Sequence, residues 1–210
     1  SFEAGAKHTI DFSSLNQRGT TTDVASTTTL TKNIAALYAG YAFNHKNLTA
    51  RAGARLEGAW YDSKSVMGKT EQYSSVLVNV VPYVSLSYKI KEAHNLSLSY
   101  SERLSRPGIQ SLSPYVTETS LSRSYGNPDL KTGVNHSIRL KYAWMNNKWT
   151  VSPELMTMFS NNRVANYQFV DKEGLINQTY LNHGRNRAYA LQTSLSYRPS
   201  QKLQLSADFR

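Results

Sequence analysis

The chain has 210 residues, of which 40% are hydrophobic and 18% charged, with 24 Lys and Arg against 14 Asp and Glu for a net charge of +10. This is too apolar for a disordered chain and suits one domain, or part of something larger. The lack of cysteine excludes disulfide scaffolds and thiolate metal sites, and basic residues scattered singly, with no recognisable motif, argue against nucleic acid as a partner.

No run approaches the roughly 20 apolar residues of a membrane-spanning helix. The most apolar window, VLVNVVPYV (Val76 to Val84), is strand-length and β-branched. A transmembrane barrel stays open, because its strands alternate and carry a weak hydropathy signal. Fourteen Tyr against six Phe and three Trp also lean towards strands. The first residues, SFEAGAKHTIDF, have no charged head followed by an apolar core; an exported protein needs such a leader, so the expectation is either a cytosolic chain or one whose start has been removed.

Period-2 alternation predicts nine strands, near 1–12, 31–43, 48–61, 73–88, 95–104, 134–145, 148–170, 175–197 and 201–210. In the third, Leu48, Ala50, Ala52, Ala54, Leu56 and Trp60 share one parity, and Arg51, Arg55 and Glu57 the other. The same division separates Val76, Val78, Val80, Val84, Leu86 and Tyr88 from Ser75, Asn79, Ser85 and Ser87. Further on, Ile138, Leu140, Tyr142 and Trp144 alternate with Ser137, Arg139 and Lys141. No helical stripe competes.

The predicted connections alternate in length. Short turns fall at 44–47, 89–93, 146–147 and 199–201; longer segments fall at 13–30, 62–72 and 105–133. The tip at 171–174 is short, but its flanking strands are the longest and would reach past a membrane core at about 3.3 Å per residue. Tyr41, Phe43, Tyr88, Trp144, Trp149 and Tyr197 lie beside the short turns, as an aromatic girdle at one membrane interface would. Aromatics at strand ends and in cross-strand pairs give the same pattern. The apolar face is core in a soluble sandwich and lipid-facing in a barrel, and periodicity alone does not separate them. Loop asymmetry and the charged polar face favour the barrel, with Arg51, Arg55, Glu57, Arg103, Arg139 and Lys141 towards the lumen. There they would meet a plug or an anionic ligand.

The segment 105–133 becomes specific. LSYSERLSRPGIQSLSPY followed by YGNPDLKTGVNHSIRLKYAW resembles the barrel region of TonB-dependent outer-membrane receptors, of the outer membrane protein β-barrel family of Bacteroides-like bacteria. The matching elements are Tyr100-Ser101, Arg106-Pro107, Leu112-Ser113-Pro114-Tyr115 and Gly126-Asn127-Pro128-Asp129-Leu130-Lys131. Gly53, Arg55 and Glu57 resemble the end of a family hairpin, and YLNHGRNRAYALQTSLSY resembles a later Asn-x-Gly strand. The chain departs from the pattern at Thr132-Gly133, where the family continues Pro-Glu, so no role of that Glu transfers.

The expected fold is all-β: an antiparallel up-and-down meander of about nine strands, a partial transmembrane β-barrel, with residues 1–210 one incomplete domain. The resemblance implies the outer membrane of a Gram-negative bacterium. Its implied partners are outer-membrane lipid, a plug domain, TonB through that plug, and a nutrient ligand that the sequence does not identify. No catalytic residue, metal or cofactor is expected, since His8, His45, His94, His136 and His183 show no ligand spacing. The alternatives are a soluble or surface-attached β-sandwich adhesin and a passive outer-membrane porin.

Overall fold

The computed structural model describes residues 1–18, 25–67, 69–113 and 116–210. In chain order these form β1 (Phe2–Arg18), β2 (Ala25–His45), β3 (Leu48–Met67), β4 (Lys69–Lys91), β5 (His94–Ser105), the helical turn α1 (Ile109–Leu112), β6 (Thr117–Glu118), β7 (Ser122–Ser124), β8 (Gly133–Met145), β9 (Trp149–Val170), β10 (Ile176–Ser200) and β11 (Leu203–Phe209). All eleven strands belong to one sheet, in which β1 to β5 are followed by β8, β9 and β10. These pair antiparallel with their sequence neighbours, so the meander is as expected. Beyond β10 the sheet divides: β11 pairs with its lower half, and β7 lies parallel against Ile176–Gln178.

Two features depart from the sequence reading. The insert between β5 and β8 is not a bare loop, since it contributes α1, β6 and β7 and raises the strand count from nine to eleven. The segments 13–30 and 62–72 are also largely strand: the β1–β2 ladder runs to Arg18↔Ala25, and the β3–β4 ladder to Met67↔Lys69. Alternation fades there because polar residues occupy both parities. Backbone pairing needs no apolar face, and Thr-rich sequence suits a pleated strand. At the other end, Pro199 lies within β10, and the expected turn at 199–201 moves to Gln201-Lys202.

Two prolines inside long strands are placed by their missing N–H. Pro82 pairs with Ala54 on β3, whereas the β4–β5 ladder begins one residue below it, at Tyr83↔Ser101. Pro153 faces Thr193 on β10, and the β8–β9 ladder is interrupted between Lys141↔Glu154 and Trp144↔Val151. Each proline therefore turns its donorless side to a gap.

Register settles the two faces, because directly paired residues point the same way. Phe43, Ala50, Leu86, Leu98, Leu140, Leu155 and Leu191 form one row across β2, β3, β4, β5, β8, β9 and β10. Apart from Ala50, every member is exposed. On the opposite face, Leu30, Ala59 and Tyr61 pack with Leu112 and Leu130 of the insert, joined by Ile34, Leu77, Ile109, Val164 and Tyr180. One short insert thus bridges β2–β3 and β9–β10, far apart in the sheet, so the face that carries it is concave. Tyr83 lies across Gly40 and Gly53 on this face; a Cβ on Gly53 would come within 2.6 Å of the ring and of the Ala39 carbonyl. Among the described residues there is one sheet, with none stacked against it, which rules out the sandwich alternative.

The turn between β9 and β10 is organised by a carboxylate. Asp171 Oδ1 accepts the amides of Glu173 and Leu175, both at 3.0 Å, and Oδ2 accepts Asn177 Nδ2 at 2.8 Å. These bonds, that from Asn177 first, hold the Asp171 carboxyl below its ordinary range. A lowered folded value stabilises the turn above the unfolded pKa of about 3.9 and loses that effect as pH falls through the folded value. The hydrogen-exchange protection of the Leu175 amide is therefore expected to hold at neutral pH and decline on acidification below pH ~4. In Asp171→Ala, protection should be low at every pH.

Candidate functional site

The site is built where the insert folds back onto the concave wall. β5 ends at Ser105, and Arg106 and a buried Pro107 lead into α1, whose Ser111 and Leu112 amides donate to the Gly108 carbonyl at 3.1 and 3.2 Å. The returning chain lies against this turn: the Gly126 amide donates to the Ser113 carbonyl (2.9 Å), and the Asn127 amide to the Ser111 carbonyl (2.7 Å). A Cβ on Gly126 would sit 2.4 Å from the Ser113 oxygen, so the close approach requires glycine.

Three asparagines then fasten the insert to the wall. Asn127 Nδ2 donates to the Tyr180 carbonyl at 2.9 Å, and its Oδ1 accepts the Asp129 amide at 3.0 Å. Asn182 accepts the Lys131 amide (2.7 Å) and donates to the carbonyls of Lys131 (2.9 Å) and Asn162 (3.0 Å). Asn162 accepts the Val134 amide at 2.9 Å and donates to the Thr132 carbonyl at 3.1 Å. An amide side chain offers both a donor and an acceptor, so it can replace a missing ladder partner where strand pairing is irregular. Leu130 is buried in the shared cluster, and Thr28 Oγ1 lies 3.3 Å from Ser113 Oγ.

The charged centre of this arrangement is Glu57. It is buried, paired with Arg55 Nε at 3.2 Å and with the Arg106 guanidinium on its other oxygen. Sequence reading placed Glu57 on the wall and Arg106 in the insert without joining them. Their contact ties the first residue after β5 to β3, two strands away in the sheet.

The other expected wall residues do not converge. Arg51 lines a shallow recess with Glu3, Asn44 and Tyr83. Arg103 is exposed opposite Asn135 on β8. Arg139 lies 3.9 Å from Glu154, whose register partner is Lys141. They form a dispersed charged wall rather than a single pocket. Of the insert residues singled out by sequence, Gly126, Asn127 and Leu130 have the contacts above, Pro128 follows Asn127 at the half-buried turn, and Pro114 and Tyr115 lie outside the described residues. Tyr41, Phe43 and Tyr88 are exposed near the short turns, Trp144 pairs with His94 and Val151, and Trp149 stacks on Tyr197 with ring centroids 4.2 Å apart.

Sequence reading missed Asn162 and Asn182. Asn182 opens the Asn-x-Gly element at 182–184, and that position could have marked it as more than a strand residue. Nothing around Asn162 singled it out except neighbouring polar residues that interrupt the alternation. Among the described residues, no group of His, Asp and Glu is arranged to hold a metal ion.

The outer membrane protein beta-barrel family matches residues 3–210. Among curated proteins, no sequence matches the chain. Solved structures similar to it include the hemophore receptor HasR of Serratia marcescens, determined as a double mutant with the hemophore HasA and heme, at 12% identity and a TM-score of 0.66, covering 92% of this chain and 38% of that one. A mutant ferric enterobactin receptor PfeA of Pseudomonas aeruginosa is 11% identical with a TM-score of 0.63, covering 99% and 40%. The siderophore receptor PirA of the same organism is 12% identical with a TM-score of 0.55, covering 98% and 42%. The chain therefore spans about two fifths of the length of these receptors.

Removing Glu57 leaves two guanidiniums facing each other on the concave wall. Glu57→Ala is expected to weaken insert docking by about 2 kcal/mol, the scale of hydrogen bonds to a charged group, with Arg55 contributing less because it is partly exposed. Limited proteolysis between Arg106 and Lys131 should accelerate correspondingly. In a double-mutant cycle with Arg106→Met, the two effects should be less than additive.

Proposed function

This chain belongs to the outer membrane protein beta-barrel family, and from that premise we propose that it forms part of the barrel wall of a TonB-dependent receptor for active uptake of a nutrient ligand. The observation that carries this reading is the inversion of the sheet. Leu98, Leu140, Leu155 and Leu191 stand exposed on the convex face, while Glu57, Thr28 and Ser160 are buried on the other side or within the sheet. A convex leucine row would be an aggregation surface in water and is the expected wall towards lipid.

The concave wall then lines the lumen. Arg51, Arg55, Glu57, Arg103, Arg139 and Lys141 supply fixed charges and hydrogen-bond donors along it. In the intact receptor their first role is to dock and solvate a plug; attraction of an anionic ligand into the narrow lumen is the second. The insert lies above them on the same wall, between the outer rim and the lumen, so a ligand arriving from outside meets it first. Energy relayed through TonB would move the plug, while the wall described here stays fixed by its ladders. Tyr41, Phe43, Tyr88, Trp144, Trp149 and Tyr197 would anchor the barrel at the periplasmic interface.

Permeability separates the receptor from a passive porin. Liposomes carrying the intact protein should remain closed to a small sugar such as arabinose. Swelling at a porin-like rate would reject the plugged receptor.

The assignment of faces has its own test. Leu140→Arg should cost about 2–4 kcal/mol of barrel stability near the bilayer midplane and lower the yield of folded protein in the membrane. Arg139→Leu, on the lumen side, should be milder. The opposite order would invert the faces.

A further inference from the structure

The short turns at one end of the sheet carry charge of one sign. In and beside the β2–β3, β4–β5, β8–β9 and β10–β11 turns stand Lys46, Lys89, Lys91, Lys148, Arg198 and Lys202, all exposed, against a single carboxylate, Glu92. Among the described residues none of these cations is paired with a carboxylate. Two of them are directly opposed. The Arg198 amide donates to the Lys148 carbonyl at 2.7 Å, which carries the β9–β10 pairing one step below Trp149↔Tyr197. Like charges opposite each other on a ladder destabilise it. The Arg198 guanidinium donates to a neutral partner, Gln204 Oε1, at 2.5 Å, so its charge stays uncompensated.

Parity turns these cations away from lipid. Trp149 and Tyr197 continue the convex parity of Leu155 and Leu191. Lys148 and Arg198, each one residue on, therefore point to the concave side. Lys89 follows the convex Tyr88 in the same way, and its partner Asn95 shares the concave parity of Ser97 and Ser99. Aromatic rings thus hold the headgroup level outside, while Lys89, Lys148 and Arg198 edge the lower mouth of the barrel inside. Lys46, Lys91 and Lys202 extend the arc at or next to the turn tips.

Dimensions indicate what such an arc can hold. From the first of these turns to the last are six strand spacings, or about 29 Å at ~4.8 Å each. Neighbouring turns lie about 10 Å apart, close to the Debye length at ~0.1 M salt, so their potentials overlap. A small anion reaches one or two turns, whereas an extended acidic segment of about ten residues, ~33 Å long, reaches all four. We propose that this arc docks an extended acidic segment of a soluble periplasmic protein, steered to the lower mouth by charge. This rests on the barrel reading, which sets these turns in the periplasm, and is independent of any transported ligand.

The test uses the intact receptor in nanodiscs of phosphatidylcholine and fluorescence anisotropy, with a labelled glutamate peptide of about ten residues as the probe. The wild type should bind it with an affinity that falls as salt rises. At equal carboxylate concentration, tetraglutamate should compete at least ~tenfold less well, because it cannot span the turns. Changing Lys89, Lys148 and Arg198 together to Gln should weaken binding about tenfold. The charge-matched control, Lys64→Gln with Lys172→Gln and Arg185→Gln towards the opposite end of the strands, should bind as the wild type does. Heat-dependent gel mobility confirms that each variant is folded; if the triple variant is not, Lys148→Gln alone should still lower affinity severalfold. Absence of binding by the wild type, or equal binding by a folded triple variant, would overturn the proposal. So would equal competition by tetraglutamate, which shows a small-anion site, or loss of binding when phosphatidylglycerol is added to the nanodiscs, which shows that lipid occupies the cations. None of these outcomes alters liposome permeability, so failure here leaves the receptor reading separately testable.

Discussion

Lipid offers a peptide bond no hydrogen-bond partner, so every N–H and C=O that enters it must be satisfied within the sheet. The long antiparallel ladders follow from this requirement, as do the positions where they are allowed to fail. Pro82 stands at the top of the β4–β5 pairing and Pro153 opposite a break in the β8–β9 pairing. Where β9 and β10 lose register near Gly184, the Asn182 side chain donates to the Asn162 carbonyl across the break, and the two asparagines turn their other side-chain donors and acceptors to Lys131, Thr132 and Val134. The same two residues receive the descending end of the insert. An irregularity in the wall is thus also the place where the insert attaches.

The inversion of polarity follows from the medium on each side. On the convex face, a leucine exposed to lipid gains nothing from burial in the protein, so the row from Phe43 to Leu191 remains uncovered. On the concave face water competes for every charge, and there the protein does build a core. Leu112 and Leu130 leave water together against Leu30, Ala59 and Tyr61. Burial of that kind stabilises by roughly 25 cal/mol per Å² of apolar surface. Glu57 joins it because two arginines accompany it, one from its own strand and one from the insert. The small apolar cluster and the ion triad are complementary: the first supplies cohesion, and the second penalises misplacement of Arg106.

Much of this was legible in the sequence, and the limits have physical causes. Alternation located the membrane-level strands because one parity must be apolar there, as with Leu48 to Trp60 on β3. It failed at 13–18 and 62–67, where both faces meet water and nothing selects residues by parity. The insert was recognisable by its ordered motif, but its helical turn and short strands were not, because Ile109–Leu112 is a single turn without a cap or a stripe. Glu57 and Arg106 were each singled out, yet their contact depends on the insert folding inward across the sheet. Long-range pairing of that sort leaves no local pattern.

How the insert is fastened bears on what else it can do. Its attachments at Tyr180, Asn182 and Asn162 involve its backbone at Lys131, Thr132 and Val134 and one amide, Asn127. Bonds to backbone are indifferent to the side chains that the backbone carries. Positions facing outward, such as Asp129, can therefore change without loosening the dock. Gly126 cannot, because the Ser113 carbonyl occupies the space of its Cβ. Leu130 cannot without opening the shared core. The insert thus separates a rigid footing, set by glycine, asparagine and leucine, from an exposed surface that is chemically free. That division allows one scaffold to present different contacts to whatever approaches the outer rim.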